Sequence, residues 1–136
     1  MRKPSHKIIL AAGAFHLAFA LFHLGFWRIF QWERSLACLD AINRAVMQIL
    51  NLQMAYVLVL VGYLCFVHAE ALSSTRFGKA VLVGLALFWV FRLMEQVAFS
   101  GLISPISIGF CVVFFIGAVL CSAPLFFKRG DALANP

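Results

Sequence analysis

Two residues of opposite charge, Arg92 and Glu95, stand three positions apart inside an otherwise apolar stretch of the chain. A full charge at the centre of a bilayer costs at least ~2.5 kcal/mol on the insertion scale, so such residues pair or line a path or pocket. The spacing allows pairing on one helix face. The pair therefore predicts a site for protons, ions or a polar group, with structural pairing as the alternative.

Six further residues could complete a binding site around this pair. Imidazole titrates near neutral pH, amides both donate and accept hydrogen bonds, and indole offers one donor. With an arginine present, these groups suit an anionic or neutral polar guest better than a cation. The candidate ligand-binding residues are Arg92, Glu95, His23, Asn51, Gln48, Gln96, Trp27 and Trp89.

The composition places these residues in a membrane protein. Of the 136 residues, 64% are hydrophobic and 12% are charged, against about 45–50% and 25% in soluble domains. A soluble domain of this size could not cover its surface with so few polar groups. Soluble enzymes, disordered regulators and disulfide-linked secreted domains are thereby excluded.

Four apolar runs predict an all-α fold, a polytopic four-transmembrane-helix bundle. Each run can cross the ~30 Å hydrocarbon core as a helix rising ~1.5 Å per residue. Backbone groups inside lipid must be satisfied internally, which favours helices. The runs cover about residues 8–27, 45–67, 80–102 and 105–127, and residues 1–136 form a single domain.

Lysine and arginine counts predict the orientation of the spans. One side of the membrane receives seven of these residues and the other receives three, Arg28, Arg34 and Arg44. The positive-inside rule then places both termini in the cytoplasm and the loop 28–44 outside, with the inner membrane as the location in a bacterium. This loop could be a short interfacial helix or an extension of the first helix.

The candidate residues are predicted to share one depth. Counting along each helix places His23 and Glu95 about 22 Å from the cytoplasmic end. Gln48 and Asn51 fall roughly 5 to 9 Å below the outer boundary, which is the same level. At 100° per residue they also form stripes that can face each other. We therefore expect a polar layer in the outer half of the membrane.

Several specific chemistries find little support in the spacing. A bis-histidine haem needs two imidazoles at equal depth on facing helices, whereas His16 and His23 stand about 10.5 Å apart along one helix. Metal-ligand spacings such as H-x-x-x-H are missing, and the four cysteines form no C-x-x-C motif. We therefore predict no catalytic residue, metal or cofactor.

The sequence favours a non-enzymatic membrane protein that binds and translocates a small polar or anionic solute or protons. One alternative is a quinone- or lipid-headgroup-binding subunit of a membrane redox or lipid-modifying complex. Another is an accessory or assembly protein whose polar layer is only structural. The expected partners are the lipid bilayer and a second copy or another membrane subunit, whereas scattered basic residues argue against nucleic acid.

Overall fold

The computed structural model describes residues 4–127, which are entirely helical apart from their connections. Four of the helices are long and apolar enough to cross a membrane, so the predicted all-α fold with four spans is confirmed. The helices are α1 (Pro4–Leu24), α2 (Phe26–Ile29), α3 (Trp32–Ser35), α4 (Ala41–Val67), α5 (Ala69–Ser74), α6 (Arg76–Ser100) and α7 (Pro105–Ser122), followed by a 3₁₀ turn (Ala123–Phe126). Arg2, Lys3, Lys128 and Arg129, which count toward the predicted orientation, lie outside the described residues.

Helices α4 and α6 begin earlier than their apolar runs predict. Helix α4 starts at Ala41 and α6 at Arg76, whereas hydropathy placed these starts at residues 45 and 80. The reason is capping, because Asp40 Oδ1 accepts hydrogen bonds from the backbone N–H groups of Ile42 and Asn43, both at 3.0 Å. The Thr75 hydroxyl accepts from the backbone N–H of Gly78 at 2.9 Å. A side-chain cap stabilises a polar first turn that the hydropathy pattern does not reveal.

Helix α7 begins at Pro105, where the fourth apolar run begins. The Ser104 hydroxyl accepts from the backbone N–H of Ser107 at 3.1 Å, and Pro105 occupies the first turn. Proline lacks the N–H that the helix would leave unpaired there. At the other end, Pro124 lies in the 3₁₀ turn rather than in a bent α-helix.

The chain divides into two compact units, one of which covers residues 13–67. Within it α1 and α4 approach closely at glycines. A Cβ added at Gly62 would lie 2.7 Å from Leu17 Cδ2 and 3.3 Å from the Gly13 carbonyl oxygen. The buried residues of α4 recur every three or four positions, which gives one packing face. They are Asn51, Ala55, Leu58, Gly62 and Cys65.

The other unit comprises residues 1–12 with 68–136, and in its described part α6 packs against both α5 and α7. Gly78 makes the tightest contact, because a Cβ there would stand 2.2 Å from the Ala71 carbonyl oxygen. Further along α6, Leu82, Trp89 and Gln96 are buried at seven-residue intervals. This face places the polar end of α6 beside the start of α7.

The segment between α1 and α4 is neither a single interfacial helix nor a continuation of α1. It contains two separate helical turns, because Gln31 adopts the left-handed conformation with φ 49°. Trp32 and Leu36 are buried, whereas Ile29 and Leu39 are exposed. The apolar side chains of this segment are thus divided between buried and exposed positions.

The four cysteines are all free and differ in exposure. Cys65 and Cys121 are fully buried, Cys111 is half-buried and Cys38 is exposed. Burial inside apolar helices agrees with a packing role for the first two, since free cysteine behaves as a small hydrophobic residue.

Candidate functional site

The Arg92–Glu95 pair lies on α6 and is loosely held. Arg92 Nη1 and Glu95 Oε2 are 3.7 Å apart, and the two side chains are 39% and 37% exposed. A distance of 3.7 Å is beyond the range of a good charge-assisted hydrogen bond. The pair is therefore an ion pair with accessible polar atoms on both partners.

An aromatic stack positions the guanidinium group. Arg92 Cζ lies 4.7 Å from the ring centroid of Phe114 on α7, within the range of a cation–π contact. The Phe114 ring also stacks on Trp89, with centroids 5.9 Å apart, and Trp89 is only 2% exposed. Trp89 thus supports the ring on which Arg92 rests.

Gln96 is joined to the start of α7 by hydrogen bonds. Its side-chain amide donates to the Ser107 hydroxyl at 3.2 Å, and this hydroxyl in turn donates to the Gly101 carbonyl oxygen. Both side chains are buried. Gln96 therefore links the two helices, and Ser107 is a partner that the sequence analysis missed although it lies two residues after Pro105.

His23 and Asn51 form a reciprocal contact within the unit of residues 13–67. The Asn51 amide nitrogen donates to the His23 carbonyl oxygen at 2.9 Å, and Asn51 Oδ1 lies 2.8 Å from His23 Nδ1. Because Oδ1 can only accept, the imidazole proton belongs on Nδ1. The ring also stacks on Phe26 with centroids 4.5 Å apart. Asn51 thus satisfies a carbonyl at the end of α1 and fixes the imidazole orientation.

Gln48 and Trp27 lie beside the connecting segment. They line a cleft of about 310 Å³ together with Trp32, Glu33, Ala37 and Arg44. The Arg44 guanidinium donates to the carbonyl oxygens of Leu36, Ala37 and Leu39 at 3.0 to 3.2 Å. Arg44 therefore closes the turn, and Gln48 faces this polar region.

A second, larger cleft contains residues that the sequence reading did not single out. It has a volume of about 590 Å³ and is lined by Trp27, Arg28, Gln31, Glu33 and Arg34. The signal available in the sequence was the repeated association of tryptophan with arginine, in Trp27-Arg28 and Trp32-Glu33-Arg34. Such neighbours are typical of membrane–water interfaces, where indole and guanidinium groups meet headgroups.

The eight predicted residues are divided between the two units. His23, Trp27, Gln48 and Asn51 belong to residues 13–67, and Trp89, Arg92, Glu95 and Gln96 belong to the other. The common polar layer stays a prediction. Among residues 4–127, no group of three or more histidine, cysteine, aspartate or glutamate side chains is arranged to hold a metal ion.

The chain is thus a four-span integral membrane protein with charged and amide side chains in its helices. No family model, curated protein or solved structure matches it.

Proposed function

We propose that the protein binds a small polar or anionic solute at the Arg92–Glu95 pair and carries it, or protons, across the membrane. The observation that supports this proposal is the exposure of the pair, since more than a third of each side chain is uncovered in a membrane-length helix. Charges left facing acyl chains are costly. A polar ligand or water beside the pair removes that cost.

The guanidinium group favours an anion as the ligand. It presents five N–H donors in a rigid fork that fits carboxylate or phosphate. Within residues 4–127, Glu95 is its single ion-pair partner, and no hydrogen bond to another residue occupies the remaining donors. Phe114 restricts the motion of the group, which lowers the entropic cost of binding.

Glu95 acts in this proposal as a competing internal anion. An incoming anion must share Arg92 with the Glu95 carboxylate, which keeps affinity moderate and permits release. Removing that competitor should therefore tighten binding. That His23, Gln48 and Asn51 position the same solute stays a prediction from the sequence.

Equilibrium binding to purified protein in nanodiscs tests the first step. The probes are radiolabelled inorganic phosphate, sulfate and lactate, measured for wild type, Arg92→Gln, Glu95→Gln and Lys79→Gln. Lys79→Gln is the matched control because it removes one positive charge from an exposed position on the same helix. We expect Arg92→Gln to weaken binding about tenfold or more, the loss of one charge-assisted contact, and Lys79→Gln to leave it unchanged.

Proteoliposome uptake of whichever probe binds tests translocation, with an internal pH dye to follow protons. Uptake that falls in Arg92→Gln but not in Lys79→Gln supports transport. If none of the probes binds wild type, or if Arg92→Gln binds equally well, the proposal is wrong. Unchanged binding by Arg92→Gln together with an altered oligomeric state would instead assign the pair to an interface between copies.

A further inference from the structure

We propose that the cleft between Arg28 and Arg34 binds the phosphate of a phospholipid headgroup, with Glu33 receiving the ammonium of phosphatidylethanolamine. Trp27 and Gln31 complete the cleft lining. This site lies in the segment between α1 and α4 and does not depend on the function proposed for the Arg92–Glu95 pair.

Both arginines of the cleft have free donors. Among residues 4–127, neither the Arg28 nor the Arg34 guanidinium forms a hydrogen bond or ion pair, and the Glu33 carboxylate is equally uncommitted. Arg44 provides the contrast within the same segment, since its guanidinium is used by three backbone carbonyls. The segment thus uses one arginine to build the turn and leaves two for a ligand.

The backbone around the cleft is fixed by internal contacts. The Ser35 hydroxyl donates to the carbonyl oxygens of Phe30 and Gln31 at 3.1 and 3.2 Å. Trp32 is buried, with its ring 4.9 Å from Trp27 and 5.6 Å from Phe26. Because these contacts hold the backbone without a ligand, binding requires little rearrangement of the main chain.

The position of the cleft selects a lipid over a soluble anion. The segment joins two membrane-spanning helices and therefore lies at a membrane surface. Arg34 also lines an adjoining cleft with Ile29 and Phe30, whose side chains are 54% and 41% exposed. Apolar surface beside cationic donors matches a molecule whose phosphate continues into acyl chains.

Glu33 gives the cleft its selectivity. Two guanidinium groups and one carboxylate line the same space, which complements a zwitterion of one phosphate and one ammonium. A phosphatidylglycerol headgroup has the phosphate but lacks the cation. We therefore expect phosphatidylethanolamine to bind more tightly than phosphatidylglycerol.

Native mass spectrometry of the full chain with both lipids tests the proposal. Arg28→Gln/Arg34→Gln should reduce retention of both lipids about tenfold or more, because charge-assisted contacts to the phosphate are lost. Glu33→Gln should abolish the preference for phosphatidylethanolamine while retaining phosphatidylglycerol. Arg76→Gln and Glu70→Gln are the controls, since both residues are exposed and lie outside the cleft.

Competition against wild-type protein separates the two sources of phosphate and does not depend on variants folding. Phosphatidylethanolamine should be displaced by O-phosphoethanolamine more readily than by inorganic phosphate. Equal lipid retention by wild type and the double arginine variant would overturn the proposal. Binding of inorganic phosphate with no lipid selectivity would also overturn it and would assign the cleft to a soluble ion.

Discussion

The His23–Asn51 contact and the Arg92–Glu95 pair both place polar groups in membrane-length helices, but they differ in how completely they are satisfied. Asn51 is 6% exposed and contacts both the ring and the carbonyl group of His23. Arg92 and Glu95 are 3.7 Å apart and remain more than a third exposed. One polar contact is thus enclosed by packing, whereas the other leaves polar atoms accessible.

Because of this difference, mutations at the two places should affect the stability of the protein differently. A buried amide that loses its partners leaves unsatisfied groups, so the Asn51 contact contributes to stability. An ion pair contributes about 0 to 1 kcal/mol where water reaches it, and charges that face acyl chains cost free energy. The presence of the pair in a span therefore requires an explanation other than stability, and the ligand binding proposed above would supply one.

The largest loss of stability is expected at Gly78, where the backbone of α6 contacts the backbone of α5. Gly78→Ala would place a Cβ 2.2 Å from the Ala71 carbonyl oxygen and 2.5 Å from Leu72 Cα. We expect a loss of about 3 kcal/mol or more, since backbone atoms must move. Thermal unfolding in detergent measures it.

Gly84→Ala is the control on the same helix. Among residues 4–127, and apart from the adjacent residues and the nearby backbone of α6 itself, no heavy atom lies within 4 Å of a Cβ built there. This variant should be neutral or more stable by up to about 1 kcal/mol, because alanine favours helix. Equal destabilisation by the two variants would show that the α5–α6 contact does not hold α6.

The next largest loss of stability is expected at the buried His23–Asn51 contact. Asn51→Leu removes two hydrogen bonds, each worth about 0.6 kcal/mol and at most ~1.7 in membrane proteins. We expect a loss of about 1–3 kcal/mol. Gln53→Leu, at an exposed position of the same helix, should change stability little. Similar unfolding midpoints for both variants would contradict the structural role of Asn51.

The fold was predictable from the sequence because lipid leaves the chain few choices. Apolar runs of about 20 residues must be helices if they span, and four such helices are present. The helix ends were less accessible. Asp40 and Thr75 extend α4 and α6 beyond their apolar runs through individual capping hydrogen bonds. A hydropathy value averaged over many residues does not detect a single hydrogen bond.

The candidate site was predictable only as a set of residue types. Depth and helical phase identified His23, Asn51, Arg92 and Gln96, but not which of them were already satisfied. The partner of Gln96 is Ser107, a residue too common to stand out. The Arg28–Arg34 cleft depends on the left-handed backbone conformation of Gln31. Glutamine rarely adopts this conformation, and no local sequence pattern predicts it.

A smaller change in stability is expected at the exposed Arg92–Glu95 pair. With water or a polar ligand beside the pair, as proposed above, Arg92→Gln/Glu95→Gln should leave stability within about 1 kcal/mol of wild type, because a solvated ion pair contributes little. The same thermal unfolding assay measures it beside Asn51→Leu. A loss larger than that of Asn51→Leu would make the charged pair structural and reverse the distinction.

The smallest effect is a pH dependence at the start of α4, the helix that carries Asn51. Hydrogen bonds from the backbone and side chain of Asn43 hold the pKa of Asp40 below its ordinary value of 3.8. The stability gained from this lowered pKa is fully present at pH values above the pKa of Asp40 in the unfolded chain. It is lost as pH falls through the pKa of Asp40 in the folded protein. Asp40→Asn should therefore lower the melting temperature slightly at pH 5 to 7, and the deficit should shrink below about pH 4. A deficit that does not change with pH would show that the cap does not depend on the Asp40 charge.

Cys38 is the one exposed thiol among the four cysteines, and it lies in the turn that precedes α4. A membrane-impermeant maleimide added to intact cells would therefore show on which side of the membrane this turn lies, and no cysteine need be introduced. Modification from outside would place this turn on the outer face, and four crossings would then return the segments before α1 and after α7 to the interior.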